Sequence, residues 1–375
     1  MMIPLSGPDI TQREKDLVME VLDSGILGLG PKMKQFEQMM ADYVGVKHAI
    51  SCNSGTSGLH MLIAAMGIGE GDEVITTSFS FVASANCILF ERAVPVFVDI
   101  DEKTYNLDVT QIEAKITPKT KAILPVHVFG QPANMDEIRV LAKQYGLWVI
   151  EDSCEAIGGE WNGERVGGLG DAGVFAFYPN KQMTTGEGGI IVTNNDEIAE
   201  LCHSIRNQGR GEDGLWLSHV RLGYNFRMDE LSAALGVAQL ERIDEILAKR
   251  DRVAAMYTER LQGVAEVIVP HVEDNVKMSW FVYVIRFAED VDRDLVMERL
   301  SKRGIGCRPY FTPIHLQPFY VERFGYKRGD FPVTERVADK TLAIPFFNNL
   351  TEAEVEAVVA AIKEEIANAK EPVVK

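Results

Sequence analysis

The chain has 375 residues, a length that suits a large domain with a smaller one rather than a single small domain. Apolar residues make up 46% and charged residues 25%, which is the balance of a globular protein and excludes disorder over most of the chain. The formal net charge is −17, so the surface repels phosphate backbones and nucleic acid is not an expected partner. An anionic substrate would need a local basic pocket.

Signals for membrane insertion, secretion and metal binding are not found in the sequence. No run approaches the ~20 apolar residues of a membrane span, and the first six residues lack the basic and apolar regions of a signal peptide. The five cysteines lie far apart without a Cys-x-x-Cys pair, and the seven histidines show no ligand spacing. We therefore expect a cytoplasmic protein with no disulfide framework, metal site or membrane partner.

Helical spacing marks the first part of the chain. Thr11 and Glu14 form a capping-box pattern before an apolar face, and the apolar spacing of residues 32–43 predicts a second helix. The segment between them, residues 25–31, is rich in Gly and Leu and is expected to be a loop.

From residue 48, short apolar runs alternate with helical segments. This alternation predicts an α/β fold with a mainly parallel sheet covered by helices on both faces. The expected strands are residues 48–52, 73–76, 94–99, 121–126, 147–151, 173–177 and 189–193. The expected helices between them are residues 58–66, 83–90, 109–116 and 136–145.

After about residue 230 the pattern changes to that of a smaller α+β region. It predicts a long or broken helix, a strand, two further helices and a frayed tail, at residues 230–260, 279–287, 292–303, 351–367 and 370–375. We therefore expect a large α/β domain at residues 1–250 and a small C-terminal domain at residues 251–375.

Three motifs follow predicted strands, at the edge where open α/β sheets bind ligands. Residues 53–58 place small residues before a helix, which is typical of a phosphate site or, equally, of a capped turn. Asp152 ends a strand and faces the crevice, or caps a helix. Lys181 follows another strand, as a Schiff-base lysine or an ordinary loop lysine. Together the three motifs match the needs of pyridoxal phosphate for a phosphate anchor, a carboxylate for the ring nitrogen and an amine for the aldehyde.

At these motifs the sequence resembles the nucleotide-sugar aminotransferases of the DegT–DnrJ–StrS type, which have the aspartate-aminotransferase fold. The resemblance covers nearly the whole chain. The motifs that carry it are NSGT at 53–56, SFVAS at 80–84, PVH at 125–127, IED at 150–152, YPNK at 178–181, GEGG at 186–189 and GYNFRM at 223–228. It implies fold type I, a pyridoxal phosphate cofactor, and transfer of an amino group from L-glutamate to a keto group of a nucleotide-diphosphate sugar.

The resemblance also implies roles for single residues in cofactor binding. Lys181 is similar to the lysine that holds the cofactor's aldehyde and later moves a proton. Asp152 is similar to the partner of the pyridine nitrogen, and Phe81 to the ring that stacks on the cofactor. Gly55 and Thr56 are similar to phosphate contacts.

Three further positions bear on subunit assembly, cofactor affinity and the substrate. Asn225 resembles a phosphate contact donated by a neighbouring subunit, which implies a homodimer with shared active sites. Ala176 stands where the family often has a phosphate-binding serine, so cofactor affinity is expected to be lower. Glu155 lies where the family places a polar group near the cofactor's phenolic oxygen. A glutamate there resembles the perosamine-synthase-like members and favours amination at C4.

The substrate side is predicted from residues in loops of the later chain and in the GEGG motif. Glu187, Arg227, Arg308 and His315 are candidate substrate contacts, and the arginines would suit a nucleotide diphosphate. Taken singly, each arginine is better explained by a structural ion pair, and His315 is equally explained as a buried loop histidine.

Other functions stay open at this point. Amination at C3 is the near alternative to C4. A dehydratase of the same fold would replace Lys181 by histidine, and a non-catalytic regulatory protein would have lost a catalytic group, neither of which is seen. An enzyme that binds a dinucleotide such as NAD is suggested by the G-x-G-x-x-G pattern at residues 168–173. However, a strand is predicted after these glycines, whereas the dinucleotide-binding motif requires a helix there. We expect a glycine-rich turn there.

Overall fold

The computed structural model describes residues 2–211 and 218–369, and the predicted frayed tail lies outside them. The helices are α1 (Gln12–Ser24), α2 (Pro31–Val44), α3 (Gly55–Ala65), α4 (Ala83–Phe90), α5 (Met135–Tyr145), α6 (Asp196–Arg206), α7 (Glu230–Glu241), α8 (Ile243–Leu261), α9 (Arg293–Lys302), α10 (Pro318–Phe324), α11 (Pro332–Lys340) and α12 (Glu352–Ala369). The strands are β1 (His48–Cys52), β2 (Glu73–Thr77), β3 (Val94–Val98), β4 (Thr120–Ile123), β5 (Trp148–Asp152), β6 (Glu160–Trp161), β7 (Glu164–Arg165), β8 (Ala172–Ala176), β9 (Gly189–Thr193), β10 (Val267–Ile268), β11 (Val276–Lys277), β12 (Tyr283–Phe287) and β13 (Thr341–Ile344).

Seven strands form the central sheet in the order β1-β9-β8-β5-β4-β2-β3. Strand β9 is antiparallel to β1 and β8, and the other neighbouring strands are parallel. This arrangement confirms the predicted α/β fold with a mainly parallel sheet. Alternate residues of β9 serve opposite faces, since Ile191 packs in the core with α3 whereas Ile190 and Val192 pack with α2 and α7.

The register of the sheet brings three chain segments to one edge. Gly189, which begins β9, pairs with Cys52 at the end of β1 and with Ala176 at the end of β8. Asp152, which ends β5, pairs with Val174 of β8. The segments that follow β1, β5 and β8 therefore leave the sheet side by side, and these are the segments that carry the three predicted motifs.

A second, antiparallel sheet of order β10-β12-β13 packs with α8, α9 and α12. Its core includes Val253, Tyr283 and Val358, together with Ile3 from the start of the chain. The predicted domain boundary after residue 250 falls inside α8, and the division into two domains stays a prediction. No helix in the described residues is long and apolar enough to cross a membrane.

Several expected elements differ from those observed. Residues 109–116 form two single 3₁₀ turns, Val109–Gln111 and Glu113–Lys115, in place of a helix. The expected strand at residues 279–287 begins only at Tyr283, because the Ser279 and Phe281 amides donate to the carbonyls of Gly130 and Phe129 instead. The long or broken helix expected at residues 230–260 takes the broken form, with α7 and α8 separated at Arg242.

Candidate active site

A cavity of about 980 Å³ opens at the carboxyl edge of the central sheet. Its walls are the turn after β1, the start of α4, the end of β5, the loop after β8, and residues 309–320. Seven of the predicted site residues line it, namely Gly55, Thr56, Phe81, Asp152, Glu155, Lys181 and Glu187. The structure thus brings together in one place residues that are far apart in the sequence.

The turn after β1 is built to accept an anion. Ser54 caps α3, since its hydroxyl accepts the amide of Ser57 at 3.1 Å. The amides of Gly55 and Thr56 begin the helix, where no acceptor within the helix is available to them. A side chain at Gly55 would place its Cβ 2.7 Å from the Cβ of Ala176, so only glycine lets this helix start approach β8 so closely. The positive end of the α3 dipole therefore faces the cavity beside β8.

Asp152 supplies a buried carboxylate to the same cavity. It is the last residue of β5 and is only 5% exposed. Its Oδ2 accepts the hydroxyl of Ser84 at 2.7 Å, and its Oδ1 accepts the amide of Cys154 at 3.2 Å. A carboxylate in this position suits a cationic ligand group, because burial makes an isolated charge costly.

The neighbouring residue, Glu151, explains the G-x-G-x-x-G pattern. Its carboxylate accepts the amides of Gly167, Leu169 and Gly170 at 2.6–2.7 Å and pairs with His127 Nε2 at 3.0 Å. The glycine turn therefore binds a carboxylate of this chain, and the prediction of a turn leading into β8 is confirmed.

Lys181 lies between a carboxylate and an aromatic face. Its Nζ atom is 3.5 Å from Oε1 of Glu155 and 3.9 Å from the ring centroid of Phe281. The side chain is 13% exposed. Gln182, the next residue, donates to the carbonyl of Glu155 at 2.6 Å and to the hydroxyl of Ser279 at 2.8 Å, which fixes the loop that carries the lysine.

Glu155 is held by the backbone on its other side. Its Oε2 accepts the amide of Phe129 at 2.9 Å. Burial raises the pKa of Glu155 above its usual value of 4.5, although the nearby Lys181 ammonium opposes this shift. Glu155 can therefore exchange a proton at a higher pH than an exposed glutamate.

Aromatic rings form much of the outer wall of the cavity. Phe81 lines it and is 62% exposed, and Tyr178 and Phe319 are each about half exposed on the same cavity. Tyr310 and Phe311 stack on each other with centroids 4.9 Å apart. Exposed rings on a cavity wall are suited to stacking on a planar ligand.

Three predicted residues lie away from the cavity of their own chain. Asn225 is exposed, and the rings of its two chain neighbours, Tyr224 and Phe226, stack directly on each other. Arg227 donates to Oδ1 of Asn207 at 3.0 Å, and Arg308 is exposed and donates to a backbone carbonyl. Their proposed contacts to ligands stay predictions.

His315 corrects an expectation. Its side chain is fully buried, with Nδ1 2.6 Å from the hydroxyl of Ser78 and Nε2 3.0 Å from Oε1 of Glu335. Burial also lowers the pKa of His315 below 6.5. Both ring nitrogens are occupied within the protein, so His315 does not contact substrate. It joins the cavity wall at residues 309–320 to the end of β2.

Sequence reasoning missed two residues of the site. Phe281 lies within a segment expected to be an ordinary strand, and its contact with Lys181 depends on the fold bringing distant segments together. Ser84 is part of the SFVAS motif, but the sequence gives no sign that its hydroxyl meets Asp152.

The residues present fit pyridoxal phosphate. The amides at the start of α3 suit its phosphate, the buried Asp152 carboxylate suits a protonated ring nitrogen, and the Lys181 amine suits its aldehyde. This fold and donor set define a pyridoxal-phosphate-dependent enzyme.

The profile of the DegT/DnrJ/EryC1/StrS aminotransferase family matches residues 8–363. The chain belongs to this family, and it is a sugar aminotransferase whose cofactor is pyridoxal phosphate.

Relatives and solved structures agree with this assignment. The chain is 42% identical over 364 residues to the GDP-perosamine synthase of Caulobacter vibrioides, covering 96% of this chain and 97% of the relative. It is similar to Helicobacter pylori PseC, an aminotransferase involved in the biosynthesis of pseudoaminic acid, with a TM-score of 0.94, 30% identity and coverage of 98% and 100%. It is also similar to S. venezuelae DesV in complex with a ketimine intermediate, with a TM-score of 0.90, 34% identity and coverage of 96% and 95%.

Proposed function

We propose that this enzyme transfers the amino group of L-glutamate to the C4 keto group of a nucleotide-linked keto-deoxy sugar. The observation that carries the proposal is the identity of 42% to a GDP-perosamine synthase along almost the whole of both chains. Glu155, the residue that favoured the perosamine-synthase-like members, lines the cavity beside Lys181.

The cavity is large enough for the cofactor and a sugar together. Its volume of about 980 Å³ is at the upper end of the range for ligand pockets, about 300–1,000 Å³. Pyridoxal phosphate, when bound, supplies a carbonyl carbon for the amino group and an electron-withdrawing ring.

Each residue of the site then has a separate role. Gly55 and Thr56 bind the phosphate through their amides, Phe81 stacks on the ring, and Asp152 stabilises the charge on the ring nitrogen. Lys181 holds the aldehyde and, when released, moves a proton at its Nζ atom. Glu155 orients this atom from 3.5 Å.

The charge of the cavity supports a homodimer with shared active sites. Lys181 is the one Lys or Arg among the described residues that line it, whereas glutamate and a nucleotide diphosphate are both anionic. The remaining positive charge would then come from a second copy of the chain. Asn225 and Arg227 lie outside the cavity of their own subunit, and they are the residues that we propose to enter the partner's site.

Product analysis tests the reaction. The holoenzyme is incubated with L-glutamate and nucleotide-linked 4-keto and 3-keto sugars, and the position of the new amine is determined by NMR. Amination at C4 supports the proposal. Amination at C3 alone contradicts it. Failure to form both 2-oxoglutarate and an amino sugar with every keto sugar also contradicts it.

Subunit complementation tests the shared site. We expect the Lys181→Ala and Asn225→Ala proteins each to be inactive or weak. The two proteins are dissociated, mixed and then allowed to reassemble together. A mixed dimer would contain one site with neither substitution, so activity should return. If the two lesions belong to the same subunit's site, the mixture stays as weak as its components.

A further inference from the structure

Ser84 and Cys154 are the two residues that hydrogen-bond to the Asp152 carboxylate within the described residues. Ser84 Oγ lies 2.7 Å from its Oδ2, and the amide of Cys154 lies 3.2 Å from its Oδ1. The thiol of Cys154 also hydrogen-bonds to this carboxylate. The basic side chains of the neighbouring motifs, His127 and Lys181, pair with other carboxylates. The hydrogen bond from the Ser84 hydroxyl to Asp152 is shorter than the one from the Cys154 amide.

The hydroxyl of Ser84 has one hydrogen and three oxygen neighbours. These are Asp152 Oδ2 at 2.7 Å, Ser80 Oγ at 2.8 Å and the carbonyl of Phe81 at 3.2 Å. A carboxylate is a stronger acceptor than a carbonyl and is also the closer of the two, so we assign the Ser84 hydrogen to Asp152. Ser80 then donates to Ser84, which gives a directed chain from Ser80 through Ser84 to Asp152.

Both serines are buried, with Ser84 1% exposed in the first turn of α4 and Ser80 5% exposed in the segment just before that helix. Buried hydroxyls in a low-dielectric surrounding make stronger hydrogen bonds than exposed ones. The same turn carries Phe81 on the cavity wall. The short segment of residues 80–84, which leads into α4, thus positions both a ring and a carboxylate of the proposed cofactor site.

We propose that Ser84 is a positioning residue for Asp152, whose carboxylate it holds in one orientation. The inference rests on the proposed pairing of Asp152 with the cofactor's ring nitrogen. The hydrogen bond from Ser84 fixes the rotation of the carboxylate, so that one of its oxygens stays turned towards the ring nitrogen. Without this donor the carboxylate can rotate, which lengthens its proposed hydrogen bond to the proton on that nitrogen. Loss of the donor weakens this proton's attachment and thereby the electron withdrawal by the ring.

The test uses the holoenzyme reconstituted with pyridoxal phosphate that carries a heavy-isotope ring nitrogen. Wild type is compared with Ser84→Ala, Ser84→Thr, Ser80→Ala and Asp152→Asn. The readouts are the NMR shift of the ring nitrogen and the rate of the half-reaction with L-glutamate.

We expect Ser84→Ala to move the nitrogen resonance towards the unprotonated position and to slow the half-reaction about tenfold. Ser84→Thr keeps the hydroxyl and should restore both values. Ser80 is one hydrogen bond further from Asp152 than Ser84 is. Ser80→Ala should therefore slow the reaction by less than about threefold.

The outcomes separate this inference from the function on which it rests. A wild-type resonance in Asp152→Asn overturns the proposed role of Asp152 and the inference with it. A shifted resonance in Asp152→Asn but an unmoved one in Ser84→Ala overturns the inference alone, whether or not the rate falls. If Ser84→Ala does not fold, Ser84→Cys replaces it, since a thiol keeps the volume but donates weakly, and the same shift is expected.

Discussion

The Nζ atom of Lys181 lies 3.5 Å from Oε1 of Glu155, and the two side chains come from the loops that follow β8 and β5. The loops after two adjacent strands thus supply the amine of Lys181 and the carboxyl group of Glu155 to one cavity. The backbone amide of Phe129 holds Glu155 from its other side, and the ring of Phe281 covers Lys181. The lysine is therefore fixed by groups from three distant parts of the chain.

Replacing Lys181 by alanine removes the amine that holds the cofactor and moves the proton. We expect the rate of transamination to fall by roughly a thousandfold or more, while the protein still binds the cofactor. The measurement is 2-oxoglutarate release from L-glutamate. Lys277→Ala is the control, because Lys277 is exposed and pairs with Glu160 at 3.2 Å outside the cavity. Equal activity of the two variants would contradict the role of Lys181.

Glu155→Gln should change how stability depends on pH. Burial raises the pKa of Glu155 above 4.5, so the folded protein holds this proton more tightly than the unfolded chain does. Wild type therefore loses stability from this group as the pH rises from about 4.5 through the raised pKa. Glutamine does not titrate, so the melting temperature of the variant relative to wild type should increase over that range, by roughly 1–3 °C.

Thermal unfolding of both cofactor-free proteins from acid to neutral pH measures this difference. A difference that is constant with pH, or that falls as the pH rises, contradicts the assignment of the shift to Glu155.

Glu151→Ala should be strongly destabilising. The substitution leaves three amides of the glycine turn, one buried and two partly buried, and the buried His127 ring without their acceptor, which costs about 3 kcal/mol or more. Urea unfolding measures the loss. Glu164→Ala, an exposed carboxylate 3.8 Å from Arg139, should change stability by less than about 0.5 kcal/mol. Similar losses in both variants would show that the turn does not depend on Glu151.

Ala176→Ser should tighten cofactor binding. The Cβ of Ala176 lies 2.7 Å from the position that a Cβ on Gly55 would take, so a hydroxyl on this residue would be beside the amides proposed to bind phosphate. One added hydrogen bond to a charged group should lower the dissociation constant of pyridoxal phosphate about tenfold. Fluorescence titration measures it. Unchanged or weaker binding would indicate that the phosphate lies elsewhere.

Local patterns predicted much of the fold. The helix expected at residues 83–90 has those bounds in the structure, and the capping box of Thr11 and Glu14 is formed as expected. The prediction of a helix at residues 109–116 was wrong because their helical spacing is short. The Asp108 side chain instead caps a single 3₁₀ turn by accepting the amide of Thr110. Helix α6 is not among the predicted helices, although the Asn195 side chain caps its start by accepting the amides of Glu197 and Ile198.

The site was predictable where a residue follows a strand directly, as Asp152 does. It was not predictable where a contact depends on tertiary packing. Phe281 reaches Lys181 because the chain at Ser279 is bound to Gly130 rather than to a strand. His315 was expected at the substrate, but the fold places it between Ser78 and Glu335, both distant in sequence. No periodicity in one segment reports such contacts.

The absorbance spectrum of the holoenzyme before and after addition of L-glutamate tests the central claim most directly. The account predicts a yellow protein whose visible band disappears with glutamate and returns when a 4-keto nucleotide sugar is added. A protein that stays colourless with pyridoxal phosphate, or a yellow one whose band neither glutamate nor the keto sugar alters, would contradict the assignment of the Lys181 cavity as the site of this transamination.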